Sequence, residues 1–75
     1  MSIQDLLDLF NSVVNQEGKV EISPRTEFKE LDEWSSLTAF TLVEEINEKY
    51  NIRIRAIEIR RCTTIEDLFN ILNSK

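Results

Sequence analysis

Apolar residues recur at three- and four-residue spacing along much of this chain. Ile3, Leu6, Leu7, Phe10, Val13 and Val14 form the first stripe, while Asp5, Asp8, Asn11 and Ser12 fall elsewhere. This period predicts an amphipathic helix over residues 3 to 15. Ser2 is placed to cap it, with Asp5 three positions on, and Asn15, Gln16 and Gly18 signal its end. A second stripe, Ala39, Leu42, Val43, Ile46 and Tyr50, spans about 100° of a helical wheel and predicts a helix over residues 36 to 50. Ile65, Leu68, Phe69 and Leu72 predict a last helix beginning near Thr64, where Thr64 and Asp67 stand in capping-box relation. Residues 73 to 75 are expected to fray, and residues 56 to 61 to form a short third helix.

The connections are less regular. Residues 16 to 34 make a long link through which Pro24 forbids a regular helix. Val20, Ile22, Phe28 and Leu31 are spaced apolar residues in this polar stretch, expected to pin the loop over the helices. Val20-Glu21-Ile22 alternates like a strand, but no second strand is in sight to pair with it. Asn51 to Arg55 is expected to be an extended link with Ile52 and Ile54 facing inward. Three long helices, one short helix and a long first loop predict an all-α, small four-helix bundle formed by one domain over residues 1 to 75.

Composition narrows the chemistry. Seventy-five residues support only a small core, too small for a deep catalytic pocket. There is no histidine, so the usual acid–base side chain at neutral pH and a common metal ligand are both missing. The single Cys62 allows no intramolecular disulfide and is expected to pack as a small apolar residue. No metal site and no catalytic residue is expected. Fourteen acidic against nine basic residues argue against nucleic-acid binding and suit partners with basic patches. The acidity lies in residues 1 to 50, which carry eleven acids and four bases; residues 51 to 75 carry three and five. The five include Arg53, Arg55, Arg60 and Arg61, expected to be surface charge or a contact for selected partners. No apolar run spans a bilayer, and the first residues lack the features of a signal peptide, so a cytoplasmic location is expected, while the helical periods predict a mostly helical monomer.

The segment Asp32-Glu33-Trp34-Ser35-Ser36-Leu37-Thr38-Ala39 runs from a polar loop into the second predicted helix. A helix start carries unpaired N–H groups and the positive end of the dipole, so it tolerates an attached phosphate. On the wheel, Leu37, Phe40, Thr41, Glu44 and Glu48 lie off the core stripe, an apolar contact inside an acidic rim. Trp34 is read as a loop anchor.

In Trp34-Ser35-Ser36-Leu37 the chain resembles the acyl carrier proteins, whose sequences often read Trp-Asp-Ser-Leu at this point. The likeness extends to Phe28 in the loop, Ile52 and Ile54 after the second helix, and Thr63-Thr64 before the last. It implies a 4′-phosphopantetheine arm, derived from coenzyme A, on Ser36. It also implies that the arm holds acyl or aminoacyl groups as thioesters for lipid or secondary-metabolite synthesis, fatty acid biosynthesis among them. A phosphopantetheinyl transferase would load the arm, and acyl-transferring or condensing enzymes with basic docking patches would meet Ser35, Leu37, Phe40, Thr41, Glu44 and Glu48. Ser35 stands where the family has an aspartate that helps hold the transferase's divalent ion. Serine caps a helix as well, but offers magnesium only a neutral ligand. The competing reading is an unmodified interaction module in which Ser36 is only a helix-start residue. A serine hydrolase lacks the base its nucleophile needs.

The acidic first two-thirds should repel itself, an effect that salt screens over about 8–10 Å at physiological strength. Raising ionic strength or adding divalent cations should therefore raise the melting temperature. A melting temperature indifferent to both would contradict self-repulsion.

Overall fold

A computed structural model describes all 75 residues. It contains four helices: α1 (Ile3–Val14), α2 (Ser36–Tyr50), α3 (Ala56–Arg60) and α4 (Ile65–Asn73). There are no strands, as the sequence predicts. A 3-10 turn at Phe28–Glu30 interrupts the long loop and was not legible in the periodicity.

Three helices start on reciprocal caps. Ser2 and Asp5, Ser35 and Thr38, and Thr64 and Asp67 each exchange a side-chain-to-backbone bond in both directions. The middle pair is an unusual capping box, because threonine replaces the long acid at its third position. α2 ends at Asn51, which adopts the left-handed conformation that asparagine tolerates (φ 55°).

The core joins α1 and α2 to α4 and the loop. Leu6, Phe10, Leu42, Ile46, Ile65 and Leu68 are fully buried. Leu9 is buried too, outside the stripe read from the sequence, because α1 packs against both α2 and α4 and buries a wider arc. Ile54 is buried and Ile52 half-buried, as expected for an alternating extended link. Phe69, Ala39, Val43 and Tyr50 are half-buried at the margins of their stripes.

The long loop is held by three devices. Phe28 is fully buried, tilted against Phe10 with ring centroids 5.2 Å apart. Ile22 and Leu31 pack half-buried on the core. Val20 does not anchor: it is 45% exposed, a correction to the sequence reading. Its backbone is anchored instead. The buried Asn15 amide donates to the Val20 carbonyl at 2.6 Å and accepts from the Val20 N–H at 3.3 Å. A side-chain amide thus takes the place of a pairing strand, which is why Val20-Glu21-Ile22 stays irregular. Further on, the N–H groups of Ile65 and Glu66 donate to the Thr26 and Pro24 carbonyls, so the loop satisfies the start of α4.

Carboxylates near the surface also serve the backbone. Asp67 accepts from the Thr64 and Thr63 N–H groups, which holds its carboxyl below the usual range. The Ser2 N–H does the same for Asp5. Glu58 is lowered first by the Lys75 ammonium at 2.8 Å and then by the Arg55 N–H. Cys62 is buried and free, donates to the Glu58 carbonyl at 3.2 Å, and burial pushes its thiol up.

Two predictions follow from this packing. Phe28→Ala should cost about 3–5 kcal/mol in chemical denaturation, as for a fully buried aromatic, whereas Phe40→Ala should change stability by about 0.5 kcal/mol or less. Equal losses would mean that Phe28 does not lock the loop. The second concerns pH. A carboxyl whose folded pKa is depressed stabilises above its unfolded pKa, about 3.9 for aspartate, and loses that contribution as pH falls through the folded value. Wild type should therefore melt above Asp67→Asn at neutral pH, and the gap should narrow below about pH 4. A gap constant with pH would contradict the assignment.

Candidate functional site

Phe28, at the centre of the loop, also sets the approach to α2. The half-buried Trp34 meets it edge-on, with centroids 5.0 Å apart and planes at 67°. The Trp34 N–H donates to the Leu31 carbonyl, which closes the turn before the helix. Trp34 is therefore the loop anchor that the sequence suggested, and Ser35 follows it directly.

Ser35 and Ser36 divide two tasks. Ser35 Oγ accepts from the Thr38 N–H at 3.2 Å, and the Ser35 N–H donates to Thr38 Oγ1 at 2.8 Å. Thr38 Oγ1 also donates to the Glu33 carbonyl, binding the cap to the loop. None of these bonds involves the Ser36 hydroxyl, which is exposed on the first residue of α2. The N–H groups of Ser36 and Leu37 likewise find no carbonyl or side chain in the protein. α4 differs, because the loop has already taken up its first two N–H groups. The start of α2 thus presents a free hydroxyl beside two free donors at the positive end of a 15-residue helix. A phosphate ester on that hydroxyl fits this environment.

The acids before the helix are placed differently. The Glu33 carboxylate accepts from the Gln16 and Glu17 N–H groups at 2.9 and 3.3 Å, so it is spent on the turn after α1. Asp32 is exposed and makes no such bond.

Along the outer face of α2, Leu37 is 73% and Phe40 61% exposed. Glu44 and Glu48 are exposed further along the helix. Thr41 is half-buried, and its hydroxyl donates to the Leu37 carbonyl at 3.0 Å, so it offers a methyl rather than a free hydroxyl. Glu45 pairs with Lys49 at 3.6 Å, leaving Glu44 and Glu48 as the unpaired acids.

Beside Ser36 opens a groove of about 440 Å³. Its walls include Trp34 from the long loop and Ala39, Phe40, Val43, Ile54 and Ile59 from α2, the extended link and α3. Ser35 and Ser36 stand on its rim, and Lys29 and Arg60 supply its only charged side chains. An apolar cleft of this size with a few polar groups is the usual form of a small-molecule site. Sequence periodicity missed it, because the groove depends on how the link and α3 lean on α2. No group of acidic, cysteine or histidine side chains could hold a metal, and no helix is long and apolar enough to cross a membrane.

Comparison with curated proteins and with solved structures gave no match. A family model described as the phosphopantetheine attachment site matches residues 4–72. Carrier domains of this family hold a 4′-phosphopantetheine prosthetic group and meet partner enzymes such as the transferase that attaches it. With nearly the whole chain matched and an all-helical bundle around a serine-led α2, the protein belongs to the phosphopantetheine-attachment family and has the role of a carrier.

Proposed function

We propose that the arm is attached to Ser36 and carries acyl or aminoacyl groups as thioesters between enzymes of lipid or secondary-metabolite synthesis. The observation that carries this reading is the division of labour at the start of α2. Ser35 caps the helix, so the Ser36 hydroxyl is left exposed beside free N–H groups and an apolar groove. The protein contributes no bond chemistry of its own. It raises the effective concentration of a tethered substrate at each partner enzyme. The groove, where Phe40, Val43, Ile54 and Ile59 offer apolar surface, suits temporary shelter of the apolar part of an acyl group.

Docking falls to the outer face of α2. Leu37 and Phe40 give an apolar contact, with Ser35 and the Thr41 methyl at its edge and Glu44 and Glu48 around it. Exposed charges chiefly govern the rate of encounter, while the desolvated apolar contact governs residence. Partners with basic patches, the transferase and acyl-transferring or condensing enzymes, complement this face. A cytoplasmic monomer suits this role.

The unmodified interaction module draws on a separate observation. Ser35 replaces the family's aspartate, and Glu33 is already committed to the loop after α1. Only Asp32 remains near the helix start to supply a carboxylate to the transferase's ion.

Intact-mass measurement after treatment with coenzyme A and a broad-range phosphopantetheinyl transferase separates the two. Wild type should gain one phosphopantetheine, and Ser36→Ala should gain none. Ser35→Asp should load faster, by about tenfold if the added carboxylate contributes about 1.4 kcal/mol at the metal. No gain in either wild type or Ser35→Asp would favour the unmodified module. Gain that survives Ser36→Ala but not Ser35→Ala would move the arm to the other serine.

A further inference from the structure

The charge inside the groove is opposite to that of the protein. The chain carries a net −5, yet no carboxylate lines the groove, and its two ionisable side chains are the cations Lys29 and Arg60. They reach it from different elements, the 3-10 turn and the end of α3. The Lys29 ammonium is positioned by donating to the Arg60 carbonyl at 2.8 Å, which ties the turn to the helix end. An ammonium has three protons, so two remain for another acceptor. Neither cation belongs to an ion pair; the three in the protein are Lys19–Glu17, Lys49–Glu45 and Lys75–Glu58. The Arg60 guanidinium thus keeps its fork of donors free, the geometry suited to a carboxylate or a phosphate.

Satisfying the end of α3 explains one proton of Lys29 and leaves the groove's positive character unexplained. An apolar trough with a cationic seat does not suit a plain alkyl chain along its whole length. It suits a group that is partly apolar and carries one negative charge.

We propose that Lys29 and Arg60 form an anion seat in the Ser36 groove. It takes an oxyanion delivered by the prosthetic arm: either the phosphodiester of the arm or a terminal carboxylate on its cargo. This rests on the Ser36 reading for how the anion arrives, but the seat itself is a property of the folded protein. In the second case the protein favours acyl groups that end in a carboxylate over those that end in a methyl.

The test follows the Arg60 side-chain Nε–H signal by NMR. The unmodified protein is first titrated with inorganic phosphate and with glutarate, which needs no modification of any serine. Each should move the Arg60 signal, and Lys29→Gln should weaken the response by about threefold or more, the size expected for one partly exposed charge contact. The protein is then loaded with the bare arm, with a pentanoyl arm or with a glutaryl arm, and mass confirms each product. A shift common to all three assigns the seat to the phosphodiester. A shift confined to the glutaryl form assigns it to the cargo carboxylate. An Arg60 signal unmoved by either free anion and by every loaded form would overturn the proposal. Absence of mass gain would count against the Ser36 reading alone, and the free-anion titration would still decide the seat.

Discussion

The contact on which the site depends is the aromatic column Phe10–Phe28–Trp34. It links the first helix, through a fully buried loop residue, to the residue that leads into α2. A link of about twenty residues without a strand or long helix is normally a source of motion. Here Phe28 burial, the Asn15 amide on the Val20 backbone and the two bonds from α4 to the loop remove that freedom. Trp34 then delivers Ser35 to its capping position with little latitude. The position of Ser36 is therefore set by packing around the loop as much as by α2.

The cap sets the chemistry. Helix starts commonly use one serine to satisfy the third N–H, and that serine is then spent. Adjacent serines let one hydroxyl be structural and the other free, and the reciprocal bonds of Ser35 and Thr38 fix which is which. The arrangement has a consequence for charge. An aspartate at position 35 would cap as well and bring a negative charge to the dipole's positive end. Serine keeps the cap and drops that charge. Glu33, the next acid along, is bonded to the turn after α1, so the start of α2 is less acidic than the sequence around it suggests.

Most of the fold was legible in the sequence because it follows from local rules. The three long helices, their caps and the outward placement of Leu37 and Phe40 come from periodicity and short-range hydrogen bonding. What was not legible depends on contacts distant in sequence. Val20 looked like an anchor, but its backbone bonds to Asn15 while its side chain stays largely exposed. Leu9 lies off the apparent stripe and is buried because a third element closes over α1. The groove, and the meeting of Lys29 with Arg60 across it, joins residues thirty-one positions apart. The serine was legible as a candidate from its motif, and its neighbour as a possible cap; the hydrogen bonds between Ser35 and Thr38 show that Ser35 fills that place.

The claim that Ser35 is structural and Ser36 is the reactive position is tested most directly by locating the arm on the chain. Cleavage after Lys29 and Lys49 releases a peptide holding both serines, Thr38 and Thr41. Tandem mass spectrometry of this peptide from the transferase-treated protein should place the phosphopantetheine on Ser36, with Ser35 and both threonines unmodified. A modified Ser35, or a peptide that stays unmodified after exhaustive treatment, would contradict the account.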